Sequence, residues 1–267
     1  MPRRGIDFAA GRPGAVAIKA AGFDFVVRYL TPGGAALPGK QLLGYEYADY
    51  LQNDISVCFM WETTADRALS GSVGGLADSV AATQYLKQLG VPDSRPVYYA
   101  VDFDAAPAQQ PTIDRYFAAI TNAIGAHRVG LYGDFYVLGR TVAAFREQTI
   151  AWSGGNFIYS SNLFQTGEQV YINGIQCDVI EAMTPDFGQW PLGGLTMELT
   201  DRVPNPYHDT HPDASPDLSV ADCLGWAPTH AALCREELAQ LRKDLPALIL
   251  TAIGDSTVHV DVTVETK

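Results

Sequence analysis

Two aspartates separated by one residue, Asp102 and Asp104 in YYAVDFD, are the side chains best suited to chemistry in this chain. At a β-strand end, positions i and i+2 face the same way, so both carboxyl groups share one side of a sheet. Cleaving a glycosidic bond takes a protonated carboxylic acid beside the leaving oxygen, usually with a second carboxylate as base, nucleophile or ion stabiliser. Crowded carboxylates raise one another's pKa, which keeps one of them protonated. Asp7 in GIDFA and Glu62 in MWETT supply further carboxylates near other expected strand ends. We read Asp104 as general acid, with Asp102 or Asp7 as its charged partner. The same D-x-D pattern also fits a metal site or a helix cap, and Glu62 also fits a cap for the segment after it.

Positioning such groups requires strands that end together. Short β-rich runs alternate with helical patterns, which implies βαβ units and a parallel sheet. Eight strands are expected at 5–9, 23–30, 56–62, 96–104, 129–135, 150–153, 177–182 and 195–201, with helices such as 75–89 and 111–124 between them. The fold class is therefore α/β, a (β/α)8 TIM-type barrel, with active groups at the C-terminal strand ends. In the fourth strand, Val97, Tyr99, Val101 and Phe103 form a face for helices, and Tyr98, Ala100, Asp102 and Asp104 form the inward one. By the same alternation Asp7, Arg28, Tyr132 and Asp134 are read as inward. Asp7 and Arg28 on adjacent strands also fit a buried ion pair that sets register.

A chain of 267 residues, 47% of them hydrophobic, can bury one sizeable core. Its formal charge of −12 repels phosphate backbones and anionic head groups, so neither nucleic acid nor a membrane is expected as partner. The cysteines Cys58, Cys177, Cys223 and Cys234 form no CxxC pair; the first two sit in apolar runs and read as buried thiols. No metal or cofactor is expected, and the HDTHPD stretch with His208 and His211 reads as a solvated loop. After Trp226 the pattern changes to an amphipathic helix at 229–250, interrupted by Pro246, and an alternating strand at 257–264. Residues 1–226 are thus expected to form the barrel and 227–267 a docking element.

In chain order, GIDFA, FVVRYL, YYAVDFD, GLYGDF, IAWS and PDLSVAD resemble the glycoside-hydrolase-like barrel family of actinobacteria and their phages. That family is similar in turn to the family-25 lysozymes, which cleave cell-wall glycan. The resemblance spans roughly residues 4–225. It implies that Asp7, Asp102 and Asp104 match the lysozyme acidic cluster, that Tyr132 and Trp152 match aromatic positions lining the sugar groove, and that Asp217 matches a late aspartate. Two positions depart from the lysozymes: Asp104 stands where they carry glutamate, and Glu198 where a Gln-aromatic pair is usual. The expected substrate is peptidoglycan glycan, met either by a glycosidase or by a glycan-binding module without turnover. The N-terminal MPRRGIDFAAG has no apolar run behind its arginines. Delivery by a phage is therefore expected, as a tail-tip virion component that docks on other subunits through 227–267, or as a free endolysin.

Overall fold

The computed structural model describes residues 3–191 and the strands at 202–204 and 217–219. Eight strands close a barrel in chain order. They are β1 (Arg4–Asp7), β2 (Phe25–Tyr29), β3 (Ser56–Trp61), β4 (Val97–Ala100), β5 (Val129–Gly133), β6 (Phe145–Thr149), β7 (Leu163–Ile172) and β8 (Ile175–Ala182). Helices α1 (Ala15–Ala20), α2 (Gly44–Gln52), α3 (Gly71–Gln88), α4 (Gln110–Ile124) and α5 (Phe135–Arg140) cover the gaps from β1 to β6. The chain divides into two units, Met1–Leu195 and Thr196–Lys267; in the second, β9 (Arg202–Pro204) pairs antiparallel with β10 (Asp217–Ser219). The expected boundary near residue 226, the strand at 195–201 and the segments 229–250 and 257–264 lie outside the described residues.

The barrel is the expected one, with a different closing quarter. β1 to β7 run parallel, whereas β8 runs antiparallel to both β7 and β1. The reason is a two-residue hairpin, Asn173–Gly174, whose φ angles of 50° and 77° suit the right-handed twist of the strands it joins. The sixth strand is FREQT at 145–149 rather than 150–153, which forms the turn after it. The seventh, LFQTGEQVYI, was not expected at all, since its polar residues mask the alternation.

Inside, Phe25, Val27, Cys58, Met60, Tyr98 and Leu163 pack together with Phe187. Outside, Ile6, Val26, Phe59, Tyr99 and Leu131 meet the helices, whose buried rows such as Ile113, Phe117 and Ile120 of α4 recur at helical spacing. Gly130 makes room for the interior, because a Cβ there would stand 2.8 Å from the Tyr98 ring. Phe187 seals the N-terminal end of the barrel. Its ring lies 4.6 Å from that of Phe25 and 5.1 Å from the Arg3 guanidinium, and its carbonyl accepts from Tyr98 Oη at 2.8 Å.

Tyr98 therefore belongs to the sealed end and not to a substrate groove. Arg28 is also corrected. It points outward, because β2 buries Phe25, Val27 and Tyr29 in the interior and gives its other face to α2. Its guanidinium donates to Glu46 Oε1 at 2.9 Å and to the Phe8 and Gly39 carbonyls at 2.6 Å, and stacks 4.2 Å from the Phe8 ring. Arg28 pairs with Glu46, not with Asp7. Breaking a buried pair leaves a charge uncompensated, although Arg12 at 3.0 Å still serves Glu46. Arg28→Met should therefore lower unfolding free energy by about 3 kcal/mol in urea denaturation. An unchanged midpoint would show that this pair does not hold α2 to the barrel.

Candidate active site

Each inward series ends in a polar residue at the end of the barrel opposite Phe187: Asp7 on β1, Tyr29 on β2, Glu62 after β3, Asp102 after β4, Tyr132 on β5, Thr149 on β6, which bonds Tyr132, Gln165 on β7 and Asp178 on β8. The antiparallel register sets Asp178 directly beside Asp7. Three of these acids, Asp7, Glu62 and Asp102, are those expected from sequence.

Hydrogen bonds tie the group together. Gln165 Nε2 donates to Asp7 Oδ2 at 2.8 Å. Tyr132 Oη lies 3.0 Å from Gln165 Oε1 and 3.4 Å from Asp102 Oδ1. Glu62 is held by Lys40 Nζ at 3.0 Å, which also sits 4.9 Å from the Tyr29 ring, and the Glu62 carbonyl accepts from Thr31. Glu62 is thus an ion-pair partner and not a helix cap. Lys40 is 6% exposed, so its charge acts in a poorly solvated setting.

The electrostatics follow from burial and crowding. Asp7 is pushed up to about 7, mainly because burial disfavours its charge, then by Asp178 and Glu62; Gln165 and Arg28 oppose this. Asp102 is raised to about 6 by burial and Glu62, with Tyr132 and Lys40 pulling the other way. Tyr29 and Tyr132 are both held well above the usual phenol range by burial and by the acids around them. Below this layer, Glu147 on β6 is fully buried with both carboxyl oxygens unpartnered. Burial, then the Asp7 charge, moves it well above the carboxylate range, so it stays neutral.

The other expected residues lie elsewhere. Asp104 is exposed, because β4 ends at Ala100 and the period-two alternation lapses before it. Its charge acts on Asp134, which caps α5 by accepting from Val137 N at 2.7 Å. Trp152 is 41% exposed in the turn after β6, at the same end of the barrel as Asp102. Asp217 opens β10 in the second unit, and Glu198 lies outside the described residues. Cys58 and Cys177 are buried free thiols, as expected; Cys223, Cys234 and the HDTHPD stretch lie outside the described residues. Among the described residues, no cluster of His, Cys, Asp and Glu fits a metal ion, and no helix is long and apolar enough to cross a membrane.

Comparison with known proteins decides the family. The model of the Rv2525c-like, glycoside hydrolase-like domain matches residues 16–176. The chain belongs to this family. A relative in Mycobacterium tuberculosis, named "Putative peptidoglycan hydrolase Rv2525c", is 27% identical over 199 residues, covering 69% of this chain and 82% of its own length. The crystal structure of that organism's Tat-secreted protein Rv2525c with L-tartrate superposes with a TM-score of 0.66 at 24% identity, over 71% of this chain and all of that one. An uncharacterized B. stearothermophilus protein gives 0.50 at 15% identity, over 67% of this chain and 95% of that one. These structures share the barrel.

Family membership leaves the acids to be tested through their energetics. Between the unfolded value of 3.8 and about 7, native Asp7 keeps a proton that the unfolded chain has released. Stability therefore falls as pH rises through that window and levels off above it. The three-unit difference sets an upper bound of about 4 kcal/mol. Asp7→Asn should unfold a few kcal/mol later than the native chain at pH 8 and nearly equally at pH 4. Equal stability at pH 8 would mean that the Asp7 carboxylate is not strained.

Proposed function

We propose that this chain cleaves glycan strands of the bacterial cell wall, with Asp7 and Asp102 as an acid pair that shares one proton near neutral pH. The observation that carries the reading is the convergence of Asp7, Glu62, Asp102 and Asp178 at the open end of a barrel whose other end is sealed. Two of these acids hold protons close to neutral pH, which acid-assisted glycoside cleavage requires. The name of the mycobacterial relative and the resemblance to family-25 lysozymes support the substrate class.

We assign proton donation to the Asp7 and Asp102 pair rather than to Asp104. Asp102 stands among the other carboxylates and touches Tyr132, while Asp104 is exposed beside a helix cap. Asp178 and Glu62 would stabilise positive charge as the sugar ring flattens, with Lys40 holding Glu62 in place. Trp152 and Tyr132 would supply faces for sugar rings. Delivery on a phage tail, with 227–267 docking on other virion subunits, is a separate part of the proposal; the amphipathic pattern of 229–250 supports it.

The test is release of reducing sugar from purified actinobacterial cell walls. Asp102→Asn should lose at least a hundredfold in rate, in the range for removing a general acid, while Asp104→Asn stays within a few-fold of the native chain. The native rate should be bell-shaped in pH with its maximum between about 6 and 7, where the Asp7 and Asp102 pair holds one proton. No sugar release by any form, with walls still bound, would replace the hydrolase by a glycan-binding module.

A further inference from the structure

Lys40 belongs to the loop between β2 and α2, yet its amine is buried against Glu62 and over the Tyr29 ring at the rim of the acid site. Its backbone is held on both sides. Arg12, in the connection from β1 to α1, donates from Nη1 to the Pro38 carbonyl at 2.9 Å and from Nη2 to the Gln41 carbonyl at 2.7 Å. Arg28 donates from Nη2 to the Gly39 carbonyl at 2.6 Å. Glu46 joins the two cations, with Oε2 3.0 Å from Arg12 Nε and Oε1 2.9 Å from Arg28 Nε. Three carbonyls around Lys40 are thus fixed by two guanidinium groups that share one carboxylate. Gly39 lets the loop lie flat on the connection that carries Arg12, because a Cβ there would collide with the Gly11 backbone.

We propose that Arg12, Arg28 and Glu46 form a clamp of positioning residues that seats Lys40 beside Glu62 and so delivers a cation to the Asp102 side of the acid site. This rests on the proposed function and deepens it, because it names what tunes the acids. An ammonium group beside carboxylates favours their ionised forms, the more so where little water screens it. The groups facing Asp102 are Glu62, Tyr132, Asp178, Tyr29 and Lys40, and Lys40 is the cation of that set. Asp7 is served by Arg28 itself, against Asp178 and Glu62. One cluster therefore supplies a cation to each acid, Arg28 to Asp7 directly and Lys40 to Asp102 through the loop. Arginine suits the clamp, since its flat fork presents several donors at fixed angles, whereas lysine is a single point of charge.

The measurement is titration of the carboxyl 13C signals of the aspartate-labelled full chain, assigned with Asp7→Asn and Asp102→Asn. In Lys40→Met, Asp102 loses its cation and should titrate about one pH unit higher, whereas Asp7, which keeps Arg28, should move less. Arg12→Met frees the Pro38 and Gln41 carbonyls and should raise Asp102 too, without altering an acid of the site. Arg12→Lys keeps the charge and loses the fork, so it should raise Asp102 as Arg12→Met does; a direct effect of the Arg12 charge would leave it at the native value. In a Lys40→Met background neither Arg12 change should move Asp102 further, since no amine is left to misplace. Gly39→Ala pushes the loop off Gly11 with the clamp side chains intact, and should raise Asp102 as a second reading where an Arg12 variant folds poorly. Asp102 unmoved in Lys40→Met, a native titration in Arg12→Lys, or a further rise on adding Arg12→Met to Lys40→Met would each overturn the inference. The titrations use no substrate, so failure of the clamp and failure of the hydrolase reading are separate results.

Discussion

The interior of a closed eight-strand barrel has room only for side chains, and each strand offers it every second residue. That constraint fixes the rest of the described unit. Apolar residues fill the lower layers, where Phe187 and Arg3 shut off water, and whatever polar groups the inward series carry must emerge at the open end. Asp7, Glu62, Asp102, Tyr132, Gln165 and Asp178 thus come from six different strands or strand ends and still meet. No loop has to fold over to gather them; strand register does it. The Asp7–Asp178 juxtaposition depends on β8 running backwards, which follows from Asn173 and Gly174 accepting positive φ.

Magnitudes show which effect governs the site. A hydrogen bond contributes about 1 kcal/mol net, or about 2 where one partner is charged. Asp7 has one such bond from Gln165, against burial and two neighbouring carboxylates that raise it by about 3 pH units, worth about 4 kcal/mol. Desolvation wins, and the site holds protons at a pH where free aspartate does not. Had Lys40 stood against Asp7 instead of Glu62, that balance would reverse. Its place beside Glu62 leaves one carboxylate paired and two others able to carry protons.

The sequence made the central part of this legible and lost the edges for physical reasons. β1, β4 and β5 alternate cleanly, and their inward residues Asp7, Asp102 and Tyr132 were placed correctly. β2 is apolar on both faces apart from Arg28, so its one charge reads as the inward mark. The charge is instead satisfied by Glu46, which lies on a different element and which no local pattern reveals. β6 and β7 carry Arg146, Glu147, Gln148, Gln165, Glu168 and Gln169, so they lack the hydrophobic period that marks a strand. Gln165 was lost with β7. The hairpin that contains it did announce itself, since YINGIQ sets Asn-Gly between apolar residues, the strongest short hairpin signal. Asp178 was likewise readable from the alternation in CDVIEA. Lys40 had no sequence signal, being a loop residue folded back onto a carboxylate.

The aspartate at position 104, where lysozymes carry glutamate, has a different meaning once β4 is seen to end at Ala100. Past that point the chain no longer alternates, and a side chain two residues beyond Asp102 has no obligation to share its face. A longer side chain could reach back over the rim, but aspartate, one methylene shorter, remains outside beside Asp134. The departure therefore does not simply remove an acid from the site. Under the proposed reading it leaves proton donation to the Asp7 and Asp102 pair, which burial keeps protonated at a higher pH than free aspartate. Whether a glycosidic oxygen can approach Asp102 then depends on the rim formed by Glu62, Lys40 and Tyr29. Under the proposed reading, the rim that admits the sugar and the acids that supply the proton are drawn from the same few side chains.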